Sequence, residues 1–415
     1  MKMHIKLLTV SIAASLACFS TTSALAGGHT EVEALRAQIE AMTKRLDQLE
    51  KQSANTEKIA VAAEEKAQMA SQSSANKGIQ SGNDNVRVSL SGHVNRGVMW
   101  ADDGEKDNLY HVDNDASSTR MRIIGEADVT DDLTVGTAIE VQFESNSTAK
   151  VSQLDETAST DSFTQRRLEV FFDNKQYGKL WIGQGWNASE GSSEVDLSGT
   201  ALAGYSDMSV LAGAILFRDS GGSLTMTNVG SVFNNMDGSG RADRIRYDTP
   251  AFGGFVLSAG VIEKDAWDAA MNYTADYDGT QVAGAIAYSD PSSDTVDSQV
   301  NGSVSVRLHG GLNLTLAAGE ESATSGPDPS FYYAKLGYQT RMNNFGTTSF
   351  SIDYNVAEDV DVAGDEATGV GLQLVQKIDN WSTEAYFGWR TYELDRVGSD
   401  LQDINAFLAG ARIKF

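Results

Sequence analysis

Arginine side chains are the groups whose spacing most clearly suggests a chemical role in this sequence. Arg120 with Arg122, and Arg244 with Arg246, occupy alternate positions, and Arg167 lies in a third segment of alternating polar and apolar residues. Alternate side chains of a β-strand share one face, so these segments would present several positive charges to one surface. Such charges attract and orient solutes without making or breaking bonds. The pattern therefore predicts electrostatic selection rather than catalysis.

The histidines argue against an enzyme. Beyond residue 26 they are His29, His93, His111 and His309, which are scattered and have no serine or carboxylate motif around them. Hydrolysis needs a nucleophile and a base close together. No glycine-rich phosphate loop and no His or Cys spacing typical of a metal site occurs either. We expect no catalytic residue, no cofactor and no metal centre.

The composition excludes further classes of protein. Acidic residues outnumber basic ones by 57 to 32, a net charge of −25, which argues against nucleic acid as a partner because phosphate contacts need a basic surface. No apolar run reaches the length of a transmembrane helix, whereas 39 glycines with only 4 prolines favour many strands and tight turns. Acidic runs at 102–107 and 358–361 are interpreted as solvated loop tips, with calcium binding as the alternative.

Residues 1–26 have the order of a secretory signal peptide. Lys2 and Lys6 precede an apolar run at 7–19, and small residues follow at 24–26. The only cysteine, Cys18, would be removed with this segment. The alternative is a lipoprotein site with Cys18 acylated, which we disfavour because a serine, not a large aliphatic residue, lies three positions before it.

Residues 27–77 are predicted to form a coiled coil and linker. Apolar residues recur there in alternating steps of three and four, at Val32, Leu35, Ile39, Met42, Leu46 and Leu49. Small residues continue the register and would weaken association towards the end. A lone amphipathic helix on a globular surface is less favoured, because charges of both signs are nearly equal and no turn signal interrupts the segment.

From residue 78 to 415 the sequence predicts a transmembrane antiparallel β-barrel. Segments of roughly ten residues alternate strictly between polar and apolar positions and are separated by alternately short and long connections. A soluble sandwich also alternates, but it has a charged outer face and a packed apolar core. Here the polar face is small and hydrated, and the apolar face ends in Trp and Tyr, as residues at a membrane interface do.

The turns divide this region into about 16 strands, the first near 86–100 and the last at 403–415. An even number allows the last strand to close the barrel against the first, and a barrel of this size encloses an aqueous lumen. Arg96 is the exception, since it falls on the outward, apolar phase. Either a neighbouring subunit covers the first strand or Arg96 lies near a lipid headgroup; we favour the neighbouring subunit.

The sequence resembles the trimeric general porins of Gram-negative outer membranes over essentially all of 85–415. The resemblance rests on the order of several segments and on the terminal Phe415, which is similar to the assembly signal of the family. The segments are 88–92 (VSLSG), 118–125 (STRMRIIG), 165–172 (QRRLEVFF), 178–184 (GKLWIGQ), 246–254 (RYDTPAFGG) and 409–415 (AGARIKF).

The resemblance implies a water-filled channel for passive diffusion of ions and small hydrophilic solutes. Such porins are homotrimers embedded in outer-membrane lipid and lipopolysaccharide, and their third extracellular loop folds into the lumen with carboxylates opposite an arginine ladder. The connection 186–240 is by far the longest here and carries Glu190, Glu194 and Asp196 near its start. We therefore expect a pore constriction between these acids and Arg120, Arg122, Arg167, Arg244 and Arg246. The alternative is that these residues merely line a solvated lumen.

Two expectations concern the whole chain. Acidic loops at the channel mouth would concentrate cations while the arginines act in the opposite sense, so we predict a weak cation preference. The added coiled coil suggests a periplasmic stalk. A structural protein that tethers the outer membrane to the cell wall through this stalk is therefore the alternative function.

Overall fold

The computed structural model describes residues 83, 85–158 and 163–415. The chain divides into two units after Gly78, and every described residue belongs to the second. The predicted signal peptide (1–26) and coiled coil (27–77) lie outside the described residues and stay predictions.

The described residues form twenty strands, one α-helical turn and four short 3₁₀ turns. The strands are β1 (Arg87–Asp102), β2 (Asp107–Asp113), β3 (Arg120–Thr130), β4 (Leu133–Phe143), β5 (Phe163–Asn174), β6 (Gly178–Trp186), β7 (Leu216–Asp219), β8 (Leu224–Asn228), β9 (Arg241–Asp248), β10 (Phe255–Ile262), β11 (Trp267–Tyr277), β12 (Thr280–Asp290), β13 (Val296–Arg307), β14 (Leu312–Ala323), β15 (Ser330–Thr340), β16 (Thr348–Glu358), β17 (Glu366–Ile378), β18 (Thr383–Asp395), β19 (Leu401–Gln402) and β20 (Ile404–Lys414). The helical turn is α1 (Val229–Val232), and the 3₁₀ turns are Asp115–Ser117, Met208–Val210, Glu263–Asp265 and Asp379–Trp381.

Sixteen of these strands form a closed antiparallel barrel, as the alternation predicts. The large sheet contains 17 strands, namely the sixteen of the wall and β2, which pairs with the end of β1 remote from the chain termini. The wall runs β1, β3 to β6, β9 to β18 and β20, and β20 pairs with β1 from His93↔Lys414 to Asp102↔Asn405. The remaining strands, β7, β8 and β19, form a separate small sheet.

The outer face of the wall is apolar, because alternate residues of each strand point away from the lumen. Leu314, Ile352 and Leu372 lie on this face and are 46–48% exposed. Aromatic pairs mark its two rims: Trp267 and Tyr288 have ring centres 5.2 Å apart at one rim, and other aromatics lie at the opposite rim. Such belts are typical of membrane interfaces. Within the described part of the chain, no helix is both long and apolar enough to cross a membrane.

The connection 187–240, which we call the lumenal loop, lies inside the barrel between β6 and β9. It packs Met208, Leu211 and Phe233 against inward-facing apolar side chains of the wall, with the Phe233 and Tyr392 rings 5.6 Å apart. The inner face is therefore not hydrated throughout, as alternation alone suggests. Near the rim remote from the chain termini it is apolar, because the loop covers it and forms a core there.

Arg96 lies on the outer face, as its phase predicts, but it is not isolated. Its guanidinium donates to the carbonyl oxygen of Ser145 at 2.9 Å and lies 3.7 Å from the Asp113 carboxylate. Its side chain is still 43% exposed. A cation on this face is thus partly compensated from within the chain.

Candidate functional site

One side of the inner wall carries a dense group of arginines, which we call the arginine wall. Three of them surround a single carboxylate, Glu140 on β4, whose side chain is fully buried. Arg122 donates to Glu140 Oε2 at 2.6 Å, Arg166 donates to Oε1 at 2.8 Å, and Arg120 lies 3.7 Å away. The members of the arginine wall are Arg120, Arg122, Arg166, Arg167, Arg241, Arg244 and Arg246.

A β-bulge places two consecutive arginines at this wall. Glu140 pairs with Arg167, but the next residue of β4, Val141, pairs with Gln165, so Arg166 is an extra residue on β5. A bulge changes the side-chain phase locally. Arg166 therefore points into the barrel as Arg167 does, and it binds Glu140. Strict alternation misses Arg166; the Arg-Arg doublet inside a strand was the available signal.

Glu169 on β5 is the second buried carboxylate of the wall. It accepts from Arg167 and from Arg244 at 2.5 Å each, and both Glu169 and Arg244 are almost completely buried. Arg246 donates to Asp248 at 2.8 Å and to the carbonyl oxygen of Asn187 at the same distance. Charge-assisted hydrogen bonds of this kind fix the direction of each guanidinium.

Two tryptophans complete the wall. Trp186, the last residue of β6, has the Cζ atoms of Arg241 and Arg166 at 4.2 and 5.5 Å from its ring centre. Trp181, nearer the opposite rim, has Arg167 at 5.4 Å and the Lys179 ammonium at 4.2 Å. Cations over an indole face are stabilised by its quadrupole. Sequence reasoning missed Arg241, because alternation assigns it to the outward phase of Ile245 and Tyr247.

Glu190 is the predicted loop acid that lies nearest the arginine wall. Arg241, Arg166 and Arg246 all act on its carboxylate electrostatically. Burial and the negative charge of Asp237 outweigh this attraction and raise the pKa of Glu190 to about 8. At neutral pH the Glu190 carboxyl is therefore only partly ionised.

Glu194 and Asp196 do not face the arginine wall. Asp196 accepts from the Lys335 ammonium at 2.7 Å, across the barrel on β15, and Glu194 accepts from Asn235 at 2.9 Å within the loop. Burial and the neighbouring Asp237 raise the pKa of Glu194. The loop follows the inner surface of β11 to β18, so its residues beyond Glu190 are carried away from the arginines. Of the three predicted acids, only Glu190 therefore stays close to the arginine wall.

Two buried cations fasten the lumenal loop to that far wall. Lys335 donates to the carbonyl oxygen of Gly204 at 2.6 Å as well as to Asp196, and Arg390 donates to the carbonyl oxygen of Tyr205 at 2.6 Å. Arg390 also binds Asp353 at 2.8 Å, and both cationic side chains are fully buried. The loop is thereby held against β15 and β18, away from the arginine wall.

Phe415 closes the barrel at its terminal rim. Its main chain exchanges two hydrogen bonds of 3.0 Å with Gly92 of β1. A Cβ atom at Gly92 would lie 2.7 Å from Cζ of the Phe415 ring, so glycine is needed for this close contact. Among the described residues, no group of three or more His, Cys, Asp or Glu side chains could hold a metal ion.

Comparison with known proteins agrees with this fold. The profile of a family described as Gram-negative porin matches residues 59–396. A loop-deletion mutant of OmpT, an outer membrane protein of Vibrio cholerae, has the same fold with a TM-score of 0.54 at 14% identity, over 80% of this chain and 100% of that one. An anion-selective porin from Comamonas acidovorans gives 0.54 at 15% identity, with the same coverage. Salmonella typhi OmpF, in complex with daunomycin, gives 0.52 at 14% identity, over 81% of this chain and 100% of that one. No curated protein matches the sequence.

Proposed function

This chain belongs to the Gram-negative porin family, and on that premise we propose that the gap between the arginine wall and the lumenal loop is the constriction that selects its solutes. The protein is an outer-membrane channel for passive diffusion of solutes. The observation that carries the proposal is the one-sided distribution of charge: Glu140 and Glu169 hold five arginines on one wall. Glu190, on the lumenal loop, is the acid on which the charges of this wall act.

Opposed charges across a narrow gap act on a solute without binding it tightly. They orient a dipolar molecule and slow an apolar one, because an apolar solute must displace ordered water. Ions and small hydrophilic molecules are therefore the solutes that such a constriction favours. The residues that we propose for the constriction are Arg120, Arg122, Arg167, Arg244, Arg246 and Glu190. Glu194 and Asp196 instead shape the loop through Asn235 and Lys335.

Conductance of the purified protein in a planar bilayer is the first test. The double variant Arg120→Ala with Arg167→Ala should shift the reversal potential towards cations and admit larger or less polar solutes. Glu140 and Glu169 each keep another arginine partner in this variant, so the barrel should still fold. Unchanged reversal potential and unchanged solute cut-off would mean that selection occurs elsewhere in the channel.

We further propose that three copies assemble through the outer face of β1, β5, β6 and β9. Polar side chains interrupt the apolar outer phase in this part of the described barrel: besides Arg96, Gln165 bonds Gln184 at 2.7 Å, and Asp243 pairs in register with Gln184. Polar groups are costly against lipid and less so against another subunit. A related structure of Vibrio cholerae OmpT is described as a trimer form.

Native mass measurement in mild detergent tests this assembly. A trimer is expected, and a trimer should persist after deletion of 30–75, because the proposed contact lies on the barrel. A monodisperse monomer of the full chain would refute the proposal. Phe415, paired with Gly92, is proposed as the assembly signal, and its deletion should reduce insertion into the membrane without changing the conductance of the molecules that do insert.

A second candidate function rests on the heptads of 27–77. A coiled coil there would act as a periplasmic stalk and tether the outer membrane to the cell wall. Deletion of 30–75 separates the two roles: loss of co-sedimentation with isolated cell wall, with conductance unchanged, supports the tether. Equal co-sedimentation of both forms would contradict it.

A further inference from the structure

Arg241 differs from every other member of the arginine wall in having no hydrogen-bond partner. Arg120, Arg122, Arg166, Arg167, Arg244 and Arg246 each donate to a carboxylate, an amide, a hydroxyl or a carbonyl oxygen. Within residues 85–158 and 163–415 the Arg241 guanidinium forms no hydrogen bond and no ion pair, and its Cζ atom lies 4.2 Å from the centre of the Trp186 ring. Arg241 is half-buried, so its N–H donors are available to a solute.

The place of Arg241 in the barrel puts it on the solute path. It is the first residue of β9 and the cross-strand partner of Trp186, the last residue of β6. The lumenal loop leaves the wall after Trp186 and returns just before Arg241, and Glu190 lies four residues into it. Arg241 therefore stands at the edge of the gap between loop and wall.

Positive charges outnumber negative ones around this point. Arg120, Arg122 and Arg166 share the single carboxylate of Glu140, and Arg241 adds a further positive charge. Glu190 is the nearest acid on the loop, and the raised pKa of its buried carboxyl leaves it partly protonated at neutral pH. An anion entering here gains attraction with little repulsion.

Stacking on Trp186 also decides which anions fit. A guanidinium held by an aromatic face keeps its planar set of N–H groups fixed, and this fork matches two oxygens of a carboxylate or a phosphate. Chloride, a single spherical acceptor, cannot use the fork in this way. The feature that distinguishes the site is therefore geometry as well as charge.

We propose that Arg241, held against Trp186, is a docking point that binds the carboxylate or phosphate group of a permeating solute. The inference rests on the proposed function, because the anion must travel through the gap beside the lumenal loop. Docking lengthens the stay of an oxyanion at the constriction. Its current should therefore saturate as concentration rises, whereas a solute that is not bound gives a current nearly proportional to concentration.

Single-channel conductance against concentration tests the proposal with three salts: potassium acetate, potassium phosphate and potassium chloride. For the unmodified protein the two oxyanion curves should saturate well before the chloride curve. Arg241→Lys keeps the charge and removes the fork, so it should raise the half-saturating concentration of acetate and phosphate about tenfold while leaving chloride conductance unchanged. Trp186→Leu should act in the same direction, because the guanidinium is then no longer held.

Arg307→Lys is the matched control. Arg307 lies at the end of β13 and donates to Gln281, away from the arginine wall, so its replacement should leave all three curves unchanged. Saturation with acetate alone or phosphate alone supports the site and identifies the oxyanion that it prefers. Equal half-saturation in the unmodified and Arg241→Lys proteins would overturn the proposal, as would a parallel loss of chloride conductance.

The outcome also separates this inference from the proposed function. A protein that conducts all three salts without saturation keeps its function as a channel but has no docking point at Arg241. A protein that inserts into the bilayer and conducts none of them contradicts the proposed function itself.

Discussion

At the scale of single residues, the buried carboxylates of Glu140 and Glu169 compensate the positive charge of five arginines on one wall. Glu169 is 1% exposed and its partner Arg244 is 2% exposed. Removing one partner of a buried pair leaves an uncompensated charge and typically costs about 3–5 kcal/mol. We therefore expect Glu169→Gln to lower the heat stability of the barrel clearly and to shift the reversal potential towards anions.

Asp173→Asn is the control for that variant. Asp173 lies on the same strand and pairs with Lys179 at 3.1 Å, but its side chain is 46% exposed. An exposed pair contributes about 0–1 kcal/mol. The measurement is the temperature at which the folded band is lost on a semi-native gel, and equal losses for the two variants would contradict a stabilising role for Glu169.

A second residue-scale prediction concerns the carboxyl pair Asp115 and Glu144. Burial, together with the nearby Glu144, raises the pKa of Asp115 from 3.8 to about 7. Glu144 is buried, and its Oε1 has no hydrogen-bond partner. Between these two pH values the folded protein keeps a proton that the unfolded chain has released, so this group makes stability fall as pH rises from about 4 to about 7.

Glu144→Gln should flatten that pH dependence, because Asp115 would no longer ionise beside a carboxylate. Thermal unfolding in detergent, followed by circular dichroism between pH 4 and pH 8, measures the slope. Ser147, which donates to Asp115 at 3.1 Å, is unchanged in this variant. The same slope in both proteins would show that Glu144 does not raise the pKa of Asp115.

At the scale of elements, the lumenal loop is held by contacts with the barrel wall that its own sequence does not predict. Lys335 is fully buried and binds Asp196 and the carbonyl oxygen of Gly204. Lys335→Gln should release this part of the loop and leave the Asp196 carboxylate without a cation. We expect larger and noisier single-channel conductance. Lys377→Gln, at an exposed position of β17, is the control and should conduct as the unmodified protein does. Unchanged single-channel conductance of Lys335→Gln would contradict a role of Lys335 in holding the loop.

The elements also show what sequence could and could not predict. The sixteen wall strands follow from alternation, because lipid outside and water inside impose a period of two. The small sheet of β7, β8 and β19 does not, since a two-residue strand such as Leu401–Gln402 has no pattern of its own. The core under the lumenal loop could not be predicted either, because apolar residues on the inner face are expected only where the loop covers them. Likewise Arg241 and Arg166 lie where a strand end or a bulge breaks the alternation.

At the scale of the whole molecule, net charge and local charge act in opposite senses. The chain carries −25, whereas the constriction is lined by arginines. Acidic loops raise the cation concentration only within about a Debye length, roughly 8 Å at physiological salt. We predict a weak cation preference at low salt that disappears as salt is raised, measured as the reversal potential at two mean concentrations. Strong anion selectivity at low salt would contradict it.

The pairing of β20 with β1 has a consequence for the way the chain folds. The first and last strands of the wall are neighbours, and the final residue contacts Gly92. The contact that seals the cylinder therefore joins residues that are farthest apart along the described chain, and such contacts form slowly because the entropy of closing a long loop must be overcome first. As long as β20 is not paired with β1, the partial sheet has two unpaired edges, which invite aggregation. Pairing of β20 with β1 therefore removes both edges in one step, and protection from aggregation comes with closure of the barrel.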